Sequence, residues 1–370
     1  MDYYSTMIIL TVLIVFVLII TITLNNSFSK RIKKGFVLTF ILVIIGACCE
    51  FVGSVYNGKI LFENSQIDVL IHIFIKFLEQ TLVPIIPVLF SKYIFESKLK
   101  KNIFRNVIVK FLEVYVILEI VLLLLGGKIF IVDSTNTYYH AELYHIYTVV
   151  FIITALYMQI NALEFSKTYQ NENLVQLIIM GMFMIVGISI QFINPEIKTC
   201  WLTIAIAGCF YYIYYNGTIQ FIDRLTGLLN QRSYYAFLEN NTDIDFILII
   251  CDVNNFKSIN DQYGHIMGDK ILSEIGGLLK NEYGKYGKCY RIGGDEFAII
   301  IQNVNENLQK IKLDFDKALM ERKKQVKQLP SIAVGYSIYR ASCKNIRDIH
   351  SVQEEADLNM YKMKYEMKKQ

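Results

Sequence analysis

The sequence predicts two unlike parts in one chain: a multi-pass α-helical membrane bundle, followed by an α+β domain in which helices cover a sheet. Three observations predict it. Hydrophobic residues fill 54% of the 370 positions, too many for two ordinary soluble domains, and the excess lies almost wholly before Asp223. Lysine and arginine rise and fall from loop to loop through that first part. After Ile222 the pattern changes to short apolar runs alternating with amphipathic stretches.

Seven apolar stretches precede Asp223, at about 7–24, 35–55, 69–92, 103–125, 143–163, 174–193 and 201–222. Each is long enough to cross a bilayer, since a spanning helix needs roughly 20 residues at 1.5 Å rise each. Orientation follows from the loops, because lysine and arginine stay preferentially on the cytoplasmic side. "KRIKK" follows the first span, and "SK" and "ESKLKKNIFR" lie between the third and fourth. The loops "YNGKILFENSQID", "GGKIFIVDSTNTYYHAEL" and "NPEIKTC" carry one lysine each. The N-terminus is therefore expected outside and everything from Asp223 onward in the cytoplasm. Residues 1–6 lack a basic stretch, so the first span reads as an uncleaved anchor.

The net charge of +4 is small and much of the basic excess lies in these loops, which fits contact with anionic lipid headgroups and gives no support to nucleic acid as a partner. The seven cysteines include no CxxC pair, so neither a disulfide framework nor a zinc site is expected.

Residues 223–370 are an ordinary domain length. "DIDFILIICD" reads as a buried strand and "GHIMGDKILSEIGGLLKNEY" as a helix. "KCYRIGGDEFAIIIQNV" is a hairpin turning at Gly293 and Gly294, and "ENLQKIKLDFDKALMERKKQV" is an amphipathic helix. "SIAVGYSIY" is a strand and "IRDIHSVQEEADLNMYKMKYEMKK" a last helix. No low-complexity linker separates the seventh span from this domain.

The first strand ends on Asp252, and the hairpin brings Asp295 and Glu296 to the tip of a neighbouring strand pair. Carboxylates gathered at strand ends are hard oxygen ligands suited to Mg²⁺, which one or two carboxylates hold together with phosphate oxygens. Without Cβ atoms, Gly293 and Gly294 let a phosphate approach the backbone. Taken alone, the same residues also describe a solvated acidic turn.

The stretch from Asp223 onward resembles the GGDEF family of diguanylate cyclases, in four motifs that follow in order. "DRLTGLLNQRSY" is similar to that family's opening signature, "DVNNFKSINDQYGHIMGD" to its metal and guanine segment, "RIGGDEF" to its name motif and "ADLNMYKMK" to its closing helix. The resemblance implies a cytoplasmic cyclase domain on a bacterial plasma membrane, making cyclic di-GMP from two GTP as a homodimer. It implies two Mg²⁺ ions on Asp252, Asp295 and the carbonyl of Val253. It also implies Asn260 and Asp269 on guanine, and Lys257, Lys364 and Lys368 on phosphates, the last two being four apart and so on one helix face. Glu296 takes the hydroxyl proton or supports the metal. Asp269 has a second reading as an acid favoured by a helix N-terminus, and the two lysines a second reading as a solvated face.

Two positions depart from the family. Lys368 stands where an arginine is usual, and a lysine offers a point charge rather than a fork. Where many members carry an Arg-x-x-Asp inhibitory motif, this chain has "GKYG" at 284–287, so no inhibitory site is expected.

No family is recognised in the first part. Its third span carries His72, Lys76 and Glu79 at near one-face spacing, with Pro84 and Pro87 beyond them, and Glu50, Glu113 and Glu119 lie in other spans. Ionisable groups inside a membrane usually face the bundle interior. They suggest a sensing pocket, or interhelical hydrogen bonding alone. Two rival functions stay open: a binding module without turnover, and a receptor or transporter whose work survives loss of residues 223–370.

Overall fold

The computed structural model describes residues 3–25, 28–62, 65–95, 103–169, 174–194, 197–343 and 348–369. The chain divides into two compact units, Met1–Asn216 and Gly217–Gln370.

The first unit is helical: α1 (Tyr3–Leu24), α2 (Lys30–Tyr56), α3 (Ser65–Ile94), α4 (Ile103–Leu124), α5 (Ile146–Thr168), α6 (Leu174–Ile193) and α7 (Cys200–Gln220), with a small antiparallel pair, β1 (Phe130–Val132) and β2 (Tyr138–His140), between α4 and α5. These helices occupy the seven apolar stretches of the sequence. Among the described residues five, α1, α2, α3, α5 and α6, are long and apolar enough to cross a membrane. Helix α4 falls short because it carries Arg105, Lys110, Glu113 and Glu119, and α7 because it carries four tyrosines and Asn216. Many of these polar groups turn inward. Glu119 is buried and accepts a hydrogen bond from the Thr81 hydroxyl at 2.9 Å, and Tyr211, Tyr212, Tyr214 and Tyr215 are all buried. Pro84 and Pro87 lie within α3, and the basic segment 96–102 lies outside the described residues.

The second unit holds β3 (Leu229–Asn230), α8 (Gln231–Asn240), β4 (Phe246–Val253), α9 (Phe256–Tyr263), α10 (His265–Glu282), β5 (Lys288–Arg291), β6 (Glu296–Ile301), α11 (Leu308–Gln325), β7 (Ile332–Tyr339) and α12 (Ile349–Lys369). The strand order is β3-β5-β6-β4-β7, antiparallel except for β3 beside β5. Strand β4 is central and every residue of it is buried, which is why it runs apolar without a break from Phe246 to Cys251. Its side chains alternate between two cores, as the pleat requires. Ile247, Ile249 and Cys251 pack with Ile271, Ile275 and Phe315 on one face; Phe246, Leu248 and Ile250 pack with Phe237, Val352 and Met360 on the other.

Local chemistry fixes where the helices start. The Asn230 side chain caps α8 by accepting the Ser233 N–H at 3.1 Å, and Asn307 caps α11 by accepting that of Lys310 at 3.1 Å. Helix α9 begins after Asn255, whose φ of 54° and ψ of 29° are left-handed, a conformation that asparagine tolerates better than most residues. That one residue turns the chain from the end of β4 straight into a helix.

Candidate active site

Asp252 is the second-last residue of β4 and is directly opposite Glu296, the first residue of β6. The Val253 N–H donates to the Asp295 carbonyl at 3.2 Å, so the strand end and the hairpin turn are tied by backbone. Three carboxylates thereby meet at one sheet edge. Burial raises the Asp295 carboxyl above its ordinary range, and the neighbouring Asp252 charge raises it further. The Glu296 carboxyl is raised too, although the residue as a whole is exposed, by partial loss of water around the carboxyl first and then by the Asp252 and Asp295 charges.

The Lys364 ammonium of α12 meets the Asp252 carboxylate at 2.5 Å, so the last helix delivers a cation to the same edge. Lys368, one turn on, is exposed, and so is Lys257 on α9. Of the three lysines expected at phosphates, one is held against a site carboxylate and two are free to move.

The hairpin turn is held by a residue that motif reading passed over. Arg291 donates to the Gly294 carbonyl through Nη2 at 2.7 Å and through Nε at 3.2 Å, and its Nη1 reaches both oxygens of Asp223 at 3.3 Å. Asp223 also accepts the Thr226 hydroxyl at 2.7 Å and its N–H at 2.9 Å. Burial would raise the Asp223 carboxyl, but these bonds and the Arg291 charge outweigh it and hold the group below its ordinary range. The first residues of the domain are thus pinned to its acidic turn. Nothing in the spacing announces this pair, 68 positions apart.

Neither Gly293 nor Gly294 has a positive φ. A Cβ on Gly293 would come within 2.7 Å of the Glu296 carboxylate, whereas one on Gly294 would meet nothing within 4 Å. Gly294 therefore presents bare backbone to open space.

Asn260 and Asp269 come from α9 and α10. Asp269 is exposed. The Asn260 Oδ1 is buried without a protein donor, and a Cβ on Gly268 would lie 1.9 Å from it. The absent side chain at 268 makes the cradle in which the amide rests.

A divalent cation fits this chemistry. Among the described residues no three His, Cys, Asp or Glu side chains are grouped closely enough to hold a metal ion by themselves, but Mg²⁺ needs only one or two carboxylates when phosphate supplies the remaining oxygens. Asp252 and Asp295 offer that number, and their mutual repulsion is what a cation would relieve.

In the first unit the sequence-predicted residues part company. Lys76 and Glu79 pair at 2.9 Å and line a cavity with Glu50. His72 instead faces Asn136, with Nδ1 and Oδ1 3.0 Å apart, Glu119 faces Thr81, and Glu113 is exposed.

Residues 220–370 match the family model described as "Diguanylate cyclase, GGDEF domain". The chain is 36% identical over 159 residues to Diguanylate cyclase DgcN of Escherichia coli, covering 39% of this chain and 37% of that protein. It is 30% identical over 148 residues to Diguanylate cyclase DgcS of Shewanella oneidensis, covering 38% and 49%. These matches span half or less of each relative's length. A 32% match over 127 residues links it to an uncharacterized membrane protein of Staphylococcus haemolyticus, covering 31% and 36%. Among solved structures, the GGDEF domain of DgcB from Caulobacter crescentus in complex with c-di-GMP aligns at 21% identity with a TM-score of 0.35, covering 39% of this chain and 90% of that one.

Proposed function

We propose that this protein, whose residues 220–370 form a GGDEF domain, is a membrane-bound diguanylate cyclase that joins two GTP into cyclic di-GMP and releases two pyrophosphates. The observation that carries this reading is the meeting of Asp252, Asp295 and Glu296 at one sheet edge, with Lys364 across from them.

The residues divide the work. Asp252, Asp295 and the Val253 carbonyl would hold two Mg²⁺, which when bound stabilise the charge that develops on the attacking and leaving oxygens. Glu296 is exposed and its carboxyl is raised above the ordinary range, which suits it to accept the proton of the attacking 3′-hydroxyl. Lys257, Lys364 and Lys368 neutralise phosphates as flexible point charges. Gly294 lets a phosphate approach the backbone.

Guanine is read by Asn260 and Asp269. A carboxylate accepts from N1–H and the exocyclic amine of guanine, a donor pair that adenine lacks. A site that loses such bonds rejects the wrong base by roughly 10⁴ in favourable cases.

Each domain takes one GTP, so two domains must face each other for either bond to form, and the active unit is a homodimer. Misplacement on the order of 1 Å can cost 10²-fold in rate, which gives the membrane bundle a means of control through juxtaposition alone.

Product feedback through an Arg-x-x-Asp site is absent from this reading. A Cβ on Gly284 would lie 2.2 Å from the Lys280 carbonyl, and one on Gly287 would lie 2.1 Å from that of Ile300. Both positions resist the side chains that such a motif needs.

The same proposal has α1 to α7 crossing the bacterial plasma membrane with the N-terminus outside. The buried Glu119 and the buried tyrosines of α7 lower the polar cost of the two less apolar helices, and Lys110 and Glu113 of α4 stay exposed.

Product analysis of membranes carrying the full chain, given GTP and Mg²⁺, tests the assignment. Wild type should form cyclic di-GMP, and Asp295→Asn should form it slower by on the order of 10³-fold, the scale of losing one preorganised charge contact. GTP bound by wild type without product would replace the cyclase with a binding module.

A further inference from the structure

The first unit contains a second group of charges that the cyclase chemistry does not use. Glu50, Lys76, Glu79, Gln80, Tyr144 and Lys198 line a cavity that draws on α2, α3, α6 and the segments leading into α5 and α7. It takes in about 410 Å³ of space outside atoms, part of it open to solvent, and narrows to a small inner room. That inner room is about the size of one water.

The wall is electrically balanced but not satisfied. Lys76 pairs with Glu79 at 2.9 Å and also lies over the Tyr138 ring, 4.9 Å from its centre. Glu50 is 1% exposed; its Oε1 accepts from Gln191 Nε2 at 3.2 Å, and its Oε2 has no protein donor. Gln80 is 4% exposed; its amide nitrogen donates to the Tyr138 hydroxyl at 3.2 Å, and its Oε1 has no protein donor either. Leaving a buried acceptor unpaired costs about 1–3 kcal/mol, and the two residues that carry these acceptors both line the cavity. What both lack is a donor carrying at least two hydrogens.

The outer end has the opposite need. Lys198 is 3.9 Å from Glu50 Oε1, beyond hydrogen-bond distance, and its side chain is 28% exposed. Its ammonium is free to turn toward an acceptor. Beside it stand His140 and Tyr144, with rings stacked at 3.6 Å.

We propose that this cavity binds a small amino-acid-like zwitterion. Its ammonium, the size of a water, enters the inner room and donates to Glu50 Oε2 and Gln80 Oε1, and its carboxylate stays at the mouth on Lys198. A simple anion would leave both inner acceptors unpaired. A simple amine would leave Lys198 unused. The cavity lies at the end of the bundle that carries the lysine-poor loops, so under the proposed orientation the ligand arrives from outside the cell. The binding claim itself needs neither that orientation nor an active cyclase.

The test is the melting temperature of the full-length protein in detergent, followed by calorimetric titration. The probes are the twenty L-amino acids, propylamine and propionate. At least one amino acid should stabilise wild type saturably, with propylamine and propionate each at least tenfold weaker. Glu50→Gln should weaken that amino acid at least tenfold while the ligand-free melt is retained. Gln80→Met serves the same purpose where Glu50→Gln alters the fold. Lys198→Met should erase the advantage of the amino acid over propylamine. Failure of every amino acid to bind, unchanged binding in both inner-room variants, or propylamine binding as tightly as the amino acid would overturn the proposal.

Discussion

Two lysine–carboxylate groupings in this chain look alike in sequence and differ in kind. At the sheet edge, Lys364 meets Asp252 where Asp295 and Glu296 crowd in, and the acids outnumber the base. In the bundle, Lys76 with Glu79 and Lys198 with Glu50 balance one another inside a cavity. The first arrangement stores repulsion that an arriving cation relieves. The second spends most of its charges on its own neighbours and leaves the lone acceptors on Glu50 and Gln80 and the loosely held Lys198 ammonium. A charged cluster is thus a functional site to the extent that its own residues fail to satisfy it.

The sharpest way to break that comparison is to remove one lysine from each. Lys76→Met leaves Glu79 uncompensated among buried groups and should cost the bundle about 3–5 kcal/mol. Lys364→Met also unpairs a buried carboxylate, that of Asp252, but one that an arriving Mg²⁺ can compensate, so with Mg²⁺ present its stability cost should be the smaller of the two, while cyclic di-GMP turnover falls by on the order of 10²-fold. Thermal denaturation in detergent and turnover in membranes read the two effects. Equal destabilisation would mean that the sheet-edge pair is also structural.

These groupings were unequally legible in the sequence. The sheet-edge site was readable because its residues come in short local motifs and because β4 is an unbroken apolar run ending in an acid. The cavity was not, since Glu50 and Gln191 meet across 141 positions and helical spacing alone cannot choose among the acids of the bundle. His72, Glu113 and Glu119 share that ambiguity, and packing sent each of them elsewhere. Helix α9 was missed for another reason. It has eight residues, none of them buried, so it leaves no apolar period to read, and its start depends on the left-handed backbone of Asn255. The Arg291–Asp223 pair lay inside two recognised motifs, yet motif order says nothing about contact.

A smaller effect sharpens the comparison at the guanine end. Gly268→Ala introduces a Cβ 1.9 Å from the present position of Asn260 Oδ1, so the amide must swing out of its cradle. The expected result is a KM for GTP raised about tenfold with kcat within about twofold, because the change falls on binding shared by ground and transition states. A drop in kcat at constant KM would remove Asn260 from guanine recognition and return its buried oxygen to a purely structural account.

The smallest effect belongs to the pair that joins the domain's first residues to its acidic turn. Asp223 is held below the ordinary carboxylate range by Thr226 and Arg291, so the folded state favours its charged form. Stability from such a group is present above the unfolded pKa and is lost as pH falls through the folded one. Asp223→Asn should therefore lower hairpin stability by about 1 kcal/mol at neutral pH, with the difference from wild type closing below about pH 4. Amide hydrogen exchange of β5 and β6 in the full-length protein, compared between the two chains at each pH, reads the gap directly. A gap that persists undiminished at low pH would assign the effect to lost packing, and Arg291 would then hold the Gly294 carbonyl without help from Asp223. In that case the turn would owe its shape to one side chain of β5, and the tie between the start of the domain and its acids would carry no free energy.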